Sequence, residues 1–416
     1  NSNYGTAIVG TVSGASISFG TPVVFESASS YRMSATYDST NNKVIIAYQD
    51  GDNASYGTAI VGTVSGTSIS FGTAVVFESA NSVFISATYD STNNRVVIAY
   101  RDGGNSSYGT AIVGTVSGTS ISFGTAVVFE SATSSYISAT YDSTNNRVVI
   151  AYQDNGNASY GTAIVGTVSG TSISFGTAVV FESAPSNYIS STYDSTNNKV
   201  VIAYQDQTNS NYGTAIVGTV SGTSISFGTA VVFESASSSP ISISFDSTND
   251  QVVIAYSDVG NSSYGTAIVG TVSGTSISFG TAVIFEYAQS SFISATYDSA
   301  NNKVVIAYRD NGNSNYGTAV VGASGTAISP TISSQTNFLG IAQATVASGA
   351  DVNVLLPRAI DTNQTGLTPG YFYYVDAATS GFTTASGQPS TWSGAYNWGP
   401  VGKAVSSSGL LLLNPL

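Results

Sequence analysis

The sequence predicts an all-β protein: a β-propeller of four-stranded, 52-residue blades followed by a small C-terminal β domain. Three observations carry this. The line YGTAIVGTVSGTSISFGTAVVFE begins at Tyr56 and returns at Tyr108, Tyr160 and Tyr212, with variants from Tyr4, Tyr264 and Tyr316, always 52 residues apart. Apolar residues inside one period alternate with a spacing of two, and helix signals are absent. A period of roughly 40–50 residues with four strands per unit suits a propeller blade, because one such sheet exposes two apolar faces that stacking around an axis buries.

The third copy shows each element in order. In YISATYD (Tyr136 to Asp142), Ile137, Ala139 and Tyr141 point one way and Ser138 and Thr140 the other, which predicts strand A. STNN follows as a turn, since Asn and Ser tolerate tight backbone and bond to it locally. RVVIAYQD (Arg147 to Asp154) is apolar on both faces and rich in β-branched residues, so it predicts an interior strand B. NGNAS turns the chain into YGTAIVGTV, a strand C whose small residues permit close packing. SGTS then leads into ISFGTAVVFE, a single strand D ending at Glu182.

Counting strands gives six copies each of A and B, seven of C, and six of D with a degraded seventh from Ala327. Six blades are favoured over seven, with the N-terminal C and D strands (Tyr4 to Glu26) completing the last A–B pair as a clasp. Seven would need FLGIAQATV and DVNVLLPRA, after Asn337, to supply a substitute pair. A β-solenoid is the competing fold, but its coils are shorter and its strands parallel. The propeller is expected over residues 1–333 and the second domain over residues 334–416, where the 52-residue echo stops and both tryptophans, Trp392 and Trp398, occur.

Two resemblances add to this reading. The phrase ISATYDSTNNRVVIAYQD (Ile137 to Asp154) followed by a C–D hairpin resembles the blade of sialidase-like (BNR-type) propellers. The Asp-box of that family is absent, its place holding SGTSISFGT, so the scaffold is implied and no functional residue. In the C-terminal region, GLTPGYFYYVD, VGKAVSSS and the closing LLLL resemble a small β domain of phage tail-fibre and other virion appendage proteins. That resemblance implies attachment to a host, a virion or extracellular location, other appendage proteins as partners and a homo-oligomer.

Composition narrows the chemistry. The chain has 416 residues, no Cys and no His, which excludes disulfides, thiolate or imidazole metal sites and His-based triads. Ten basic residues against 23 acidic ones, a net charge of −13, argue against nucleic acid and anionic membranes. No run of eighteen apolar residues predicts a membrane-spanning helix. The chain begins within a repeat, as a processed product or an excised fragment would.

No catalytic residues and no cofactor are expected. Glu26, Glu78, Glu130, Glu182, Glu234 and Glu286 share one repeat position, and a residue copied around a ring reads as structural. Asp38, Asp90, Asp142, Asp194, Asp246 and Asp298 in the A–B turn read as caps of their own backbone. Arg95 and Arg147 occupy another repeated position and make no arginine triad with Arg101 and Arg309. Calcium is the weaker alternative: B–C loop groups such as Asp50, Asp52 and Asn53 supply oxygens, but fewer than the six to eight the ion takes. Asn53, Asn105, Asn157 and Asn261 begin Asn-x-Ser sequons, as chance allows in so Asn- and Ser-rich a chain.

The differences between copies point to a ligand face. The A–B and C–D turns are almost invariant, whereas the expected D–A and B–C loops on the opposite face vary. Tyr31, Phe84, Tyr136, Tyr188 and Phe292 would form aromatic rims beside Arg101, Gln153, Asp154, Gln205, Asp206 and Arg309, a set suited to stacking on sugar rings and gripping hydroxyls. The expected function is host receptor or surface-glycan binding by a virion appendage. The alternatives are a purely structural virion or fibre module, whose loops merely drift, and a secreted lectin or adhesin of cellular origin.

Overall fold

The computed structural model describes residues 3–323 and, beyond them, seven short strands between Ile341 and Leu412. The chain divides into two compact units, Asn1–Ile332 and Ser333–Leu416. The first is a β-propeller. Its blades are numbered here by their A strands, so that blade 3 holds the copy read above.

In blade 3, strand A is the second half of the run Val127–Asp142 and pairs antiparallel with strand B, Arg147–Asp154, setting Ser138 opposite Ala151 and Asp142 opposite Arg147. Strand B pairs in turn with strand C, Tyr160–Ser169, with Tyr152 opposite Thr162. The A–B turn forms as its composition predicts. Asp142 Oδ1 accepts the amides of Thr144 (3.1 Å) and Asn145 (2.9 Å), and Asn146 adopts a left-handed φ of 53°.

Strand D departs from the expected single strand. Ser172–Phe175 pairs with the end of C, the chain breaks at Gly-Thr-Ala, and Val179 onward pairs with the start of C. The break follows from the neighbouring blade. A Cβ on Gly124, the matching glycine of blade 2, would lie 1.9 Å from the Thr171 carbonyl oxygen of blade 3, so only glycine fits. Gly124→Ala should therefore cost about 1–3 kcal/mol by forcing backbone apart, read as a lower denaturant midpoint at unchanged slope.

The expected D–A loop is also absent. D and the next A form one continuous extended run of 16 residues, Val127–Asp142. The crossing residues bond alternately to the two blades: Thr133 is paired with Tyr108 of blade 2, and Ser134 with Asp154 of blade 3. Small side chains suit this passage, and Ser82, Ser134, Ser186 and Ser238 are fully buried there.

Ring closure differs from the expected clasp. The last A–B pair takes its own C strand, Tyr316–Gly322, with Tyr308 opposite Thr318. The N-terminal strands form a half-blade instead: Tyr4–Ala7 and Gly10–Ser13 supply C, and Ser16–Phe19 with the start of Val23–Asp38 supplies D. On one side Ala7 and Phe25 pack on Ile46, Tyr48 and Ile60 of blade 1. On the other, Ser16–Phe19 lies against Tyr316–Gly322, as Ser120–Phe123 lies against Tyr56–Ser65 between complete blades. The described ring thus holds six inner A–B hairpins and, at a seventh place, an outer C–D pair.

The core lies between blades. Val148 to Tyr152 in strand B are all wholly buried, as are their counterparts in blades 2, 4 and 5. Strand C packs closely because a Cβ on Gly109 would sit 2.4 Å from the Phe129 ring, which confirms the role expected of its small residues. The second unit contains a five-stranded sheet in the order Ile360–Asp361, Leu410–Leu412, Gly402–Ala404, Phe372–Asp376, Gly381–Thr384. A further ladder joins Ile341–Ala342 to Val354–Leu355. No helix among the described residues is long and apolar enough to cross a membrane.

Candidate functional site at the channel mouth

All six A strands line one central cavity of about 1020 Å³. Its wall is a ring of Met33, Ile85, Ile137, Ile189, Ile241 and Ile293, alternating with serines that include Ser86, Ser138, Ser190 and Ser294. The serines tie blades together: Ser86 Oγ accepts the Ala139 amide at 2.9 Å, and Ser138 Oγ accepts the Ser191 amide at 3.0 Å. Tyr31, Arg32, Gln49 and Phe292 stand at the same cavity.

The aromatic positions of the sequence reading meet here, with one shift of register. Phe84, Tyr136, Tyr188 and Phe292 share a repeat position at which the first copy holds Arg32, not Tyr31, and the fifth holds Pro240. Each of these residues except Pro240 has φ between 48° and 52°, because strand A bulges there between Ser135 and Ser138 and in the same way in the other copies. Left-handed backbone is unusual for aromatic residues. The bulge turns their rings toward one another: Phe84 and Tyr136 lie 5.3 Å apart by centroid, and Tyr136 and Tyr188 5.2 Å. Two guanidiniums flank Phe84, Arg32 at 5.3 Å and Arg101 at 4.8 Å from the ring centre. Burial and the charge of Arg32 lower the Arg101 pKa.

Phe292 stands apart, 74% exposed, with Arg309 4.8 Å from its centroid. That guanidinium is fixed, its Nε donating to Ser291 Oγ at 2.9 Å and Asn311 Oδ1 at 3.0 Å. Tyr31 is 46% exposed, one residue before the shared position and opposite Gln49.

The polar members of the expected site are turned inward. Gln153 and Gln205 are buried. Gln153 donates to Asn187 Oδ1 at 2.8 Å, and Gln205 to Ser237 Oγ and the Ser238 carbonyl. Asp154 accepts the Gly156 and Asn157 amides of its B–C loop, and Asp206 those of Thr208 and Asn209. The calcium alternative meets the same geometry, since Asp50 Oδ1 accepts the Asn53 amide. Among the described residues no group of three or more Asp or Glu is placed to hold a metal.

The repeated glutamates are structural in geometry too. Tyr152 donates to Glu130 Oε2 at 3.0 Å, linking strand B of blade 3 to the D segment before it, and all six copies repeat this bond. Burial pushes the Glu78, Glu130, Glu182, Glu234 and Glu286 carboxyls above their ordinary 4.5, the tyrosine bond pulling back and a nearby Asp adding to the rise. A carboxyl raised on folding gives stability that is full below 4.5 and lost as pH climbs through the raised value. Asp38 acts oppositely. Burial raises it, but hydrogen bonds from the Asn41 side chain and from backbone outweigh that, so its share is lost as pH falls below 3.8. The melting temperature should therefore be higher at about pH 5 than at about pH 7.5. A flat profile across that interval would contradict this balance.

No family model matches the chain, and no curated protein matches it. Among solved structures it is similar to AofleA from Arthrobotrys oligospora, at 11% identity over 70% of this chain and 83% of that one, with a TM-score of 0.45. It is also similar to the six-bladed β-propeller lectin of Aleuria aurantia, described with a fucose recognition mode, at 14% identity over 71% and 92% of the two chains and a TM-score of 0.46. The β-propeller domain of Cps50 (Swd1) from Myceliophteria thermophila matches at 9% identity over 73% and 86%, with a TM-score of 0.47.

Proposed function

We propose that the channel mouth binds glycans and that the protein is a carbohydrate-binding surface module with no catalytic role. One observation carries the reading: exposed rings and fixed guanidiniums gather at the rim of a cavity whose wall offers both apolar groups and hydroxyls. A pyranose has the matching chemistry, a C–H face to stack on Phe292 or the Phe84–Tyr136–Tyr188 arc and hydroxyls for the polar rim. The aromatic rims expected on the variable face converge on one shared mouth. Arg32, Arg101 and Arg309 gather three of the chain's ten basic residues at this mouth, which favours glycans carrying a carboxylate.

A glycan array probed with the full chain tests this. Combined Phe292→Ala and Arg32→Ala should weaken binding by tenfold or more, about 1.4 kcal/mol, with little change in melting temperature because both side chains lie at the rim. Retention of no glycan, or binding indifferent to both substitutions, would overturn the reading in favour of a scaffold. The setting we propose, a virion or cell-surface appendage, rests on the resemblance of residues 334–416, and immunogold labelling of particles tests it separately.

A further inference from the structure

The seventh place in the ring has a chemistry of its own. In every blade from 1 to 6 the inner edge of strand C is covered by strand B in one register: Tyr108 faces Asp102, Gly109 faces Arg101, Thr110 faces Tyr100 and Ala111 faces Ala99. Among the described residues nothing pairs with the corresponding edge of Tyr4–Ala7, which bonds only to its D partner. An unpaired strand edge presents a row of backbone donors and acceptors that another strand can complete.

The walls on either side are apolar where a blade would cover them. Ala307 of blade 6 is exposed, while its counterparts Ala47, Ala99, Ala151, Ala203 and Ala255 are all wholly buried. On blade 1, Met33 is 52% exposed where Ile85 is 8%, and Tyr37 is 53% exposed where Tyr89 is 9%. These are the surfaces that an A–B hairpin covers at every other junction of the ring.

We propose that this place is a docking groove for a β-hairpin written in the repeat's own A–B pattern, with the turn Asp-Ser-Thr-Asn-Asn. Continuity with the five complete junctions supports the hairpin, and Tyr37 selects its turn. Tyr89 donates to Thr40 of the preceding blade's turn (2.7 Å) with its own Asn94 Oδ1 at 3.2 Å, and Tyr141 meets Thr92 and Asn146 in the same way. Tyr37 has its own Asn42 at 2.6 Å and faces the position where a preceding turn threonine would stand. The hairpin's B strand would end with its Asp opposite Tyr4 and its Gln or Arg opposite Gly5, the register kept six times elsewhere. The segment 338–359 of this chain carries the sequence Ala-Ser-Gly-Ala-Asp at its middle instead of Asp-Ser-Thr-Asn-Asn, and so lacks that threonine.

The absence of cysteine makes the test direct. The full chain carrying Ala307→Cys is labelled with a maleimide in the presence of one of two peptides, one copying residues 133–154 and the other residues 338–359, each with lysines appended. The first peptide should bind saturably, raise the melting temperature with concentration, and slow labelling about tenfold at roughly ten times its Kd. Ser169→Cys, at the exposed end of strand C, should label at the same rate throughout. Three results would overturn the proposal: no protection by the 133–154 peptide, better protection by the 338–359 peptide, or an Ala307→Cys thiol already unreactive in the free chain. None of these outcomes depends on whether the mouth binds glycans.

Discussion

Replacing Tyr152 with alanine should destabilise the ring by about 3–5 kcal/mol, the range for deleting a buried aromatic side chain, as read from chemical unfolding. Tyr152 is wholly buried, packs edge-on to Phe129 at 5.1 Å, and bridges two blades through Glu130. The cavity cannot collapse, because the B strands on both sides are themselves wholly buried and close-packed. Tyr152→Phe separates the two contributions. It keeps the ring and removes the donor to a half-buried carboxyl, which should cost about 1–3 kcal/mol. Glu130→Gln should be milder, since an amide oxygen still accepts the hydroxyl. A Tyr152→Ala variant within about 1 kcal/mol of the parent would mean that adjacent blades are less tightly coupled than their geometry indicates.

Removal of residues 1–27 should leave a chain that aggregates or fails to fold. The half-blade covers Ile46, Tyr48 and Ile60 through Ala7 and Phe25, and Glu26 accepts the Tyr48 hydroxyl at 3.1 Å. Each large side chain uncovered forfeits about 1.5–3 kcal/mol. Light scattering and a melting curve on the truncated chain check this. A monomer with an unchanged transition would show that blade 1 needs no neighbour on that side.

The fold was legible because the repeat is written in patterns whose physics is local. Alternation in YISATYD, double-sided apolarity in RVVIAYQD, and the Asp-Ser-Thr-Asn-Asn turn each specify their element without reference to the rest of the ring. What was hidden depends on neighbours in the adjoining blade. Gly124 breaks strand D because of a carbonyl in the next blade, and Ser134 is buried because the chain crosses there between two sheets. The closure at Tyr316–Gly322 was hidden as well, since nothing local distinguishes a C strand that completes a blade from one that begins a half-blade. The site was legible in part. Aromatic positions marked the stretch of strand A that reaches the channel mouth, but sequence could not show that a bulge there stacks the rings on one another. Nor could it show that Gln153, Asp154, Gln205 and Asp206 spend their hydrogen bonds inside the fold. Arg32 was missed for want of alignment: counting 52 back from Phe84 reaches it directly.

The 16-residue runs that cross from one blade to the next have a genetic consequence. The unit of heredity, 52 codons, is out of phase with the unit of structure, for each run belongs half to one sheet and half to its successor. Unequal recombination between two copies therefore adds or removes a segment carrying its own crossings, wherever the breakpoint falls. Every junction in the product joins the same two half-patterns as before. Copy number can change without creating a new kind of seam, and only the circumference of the ring limits how many copies a chain retains.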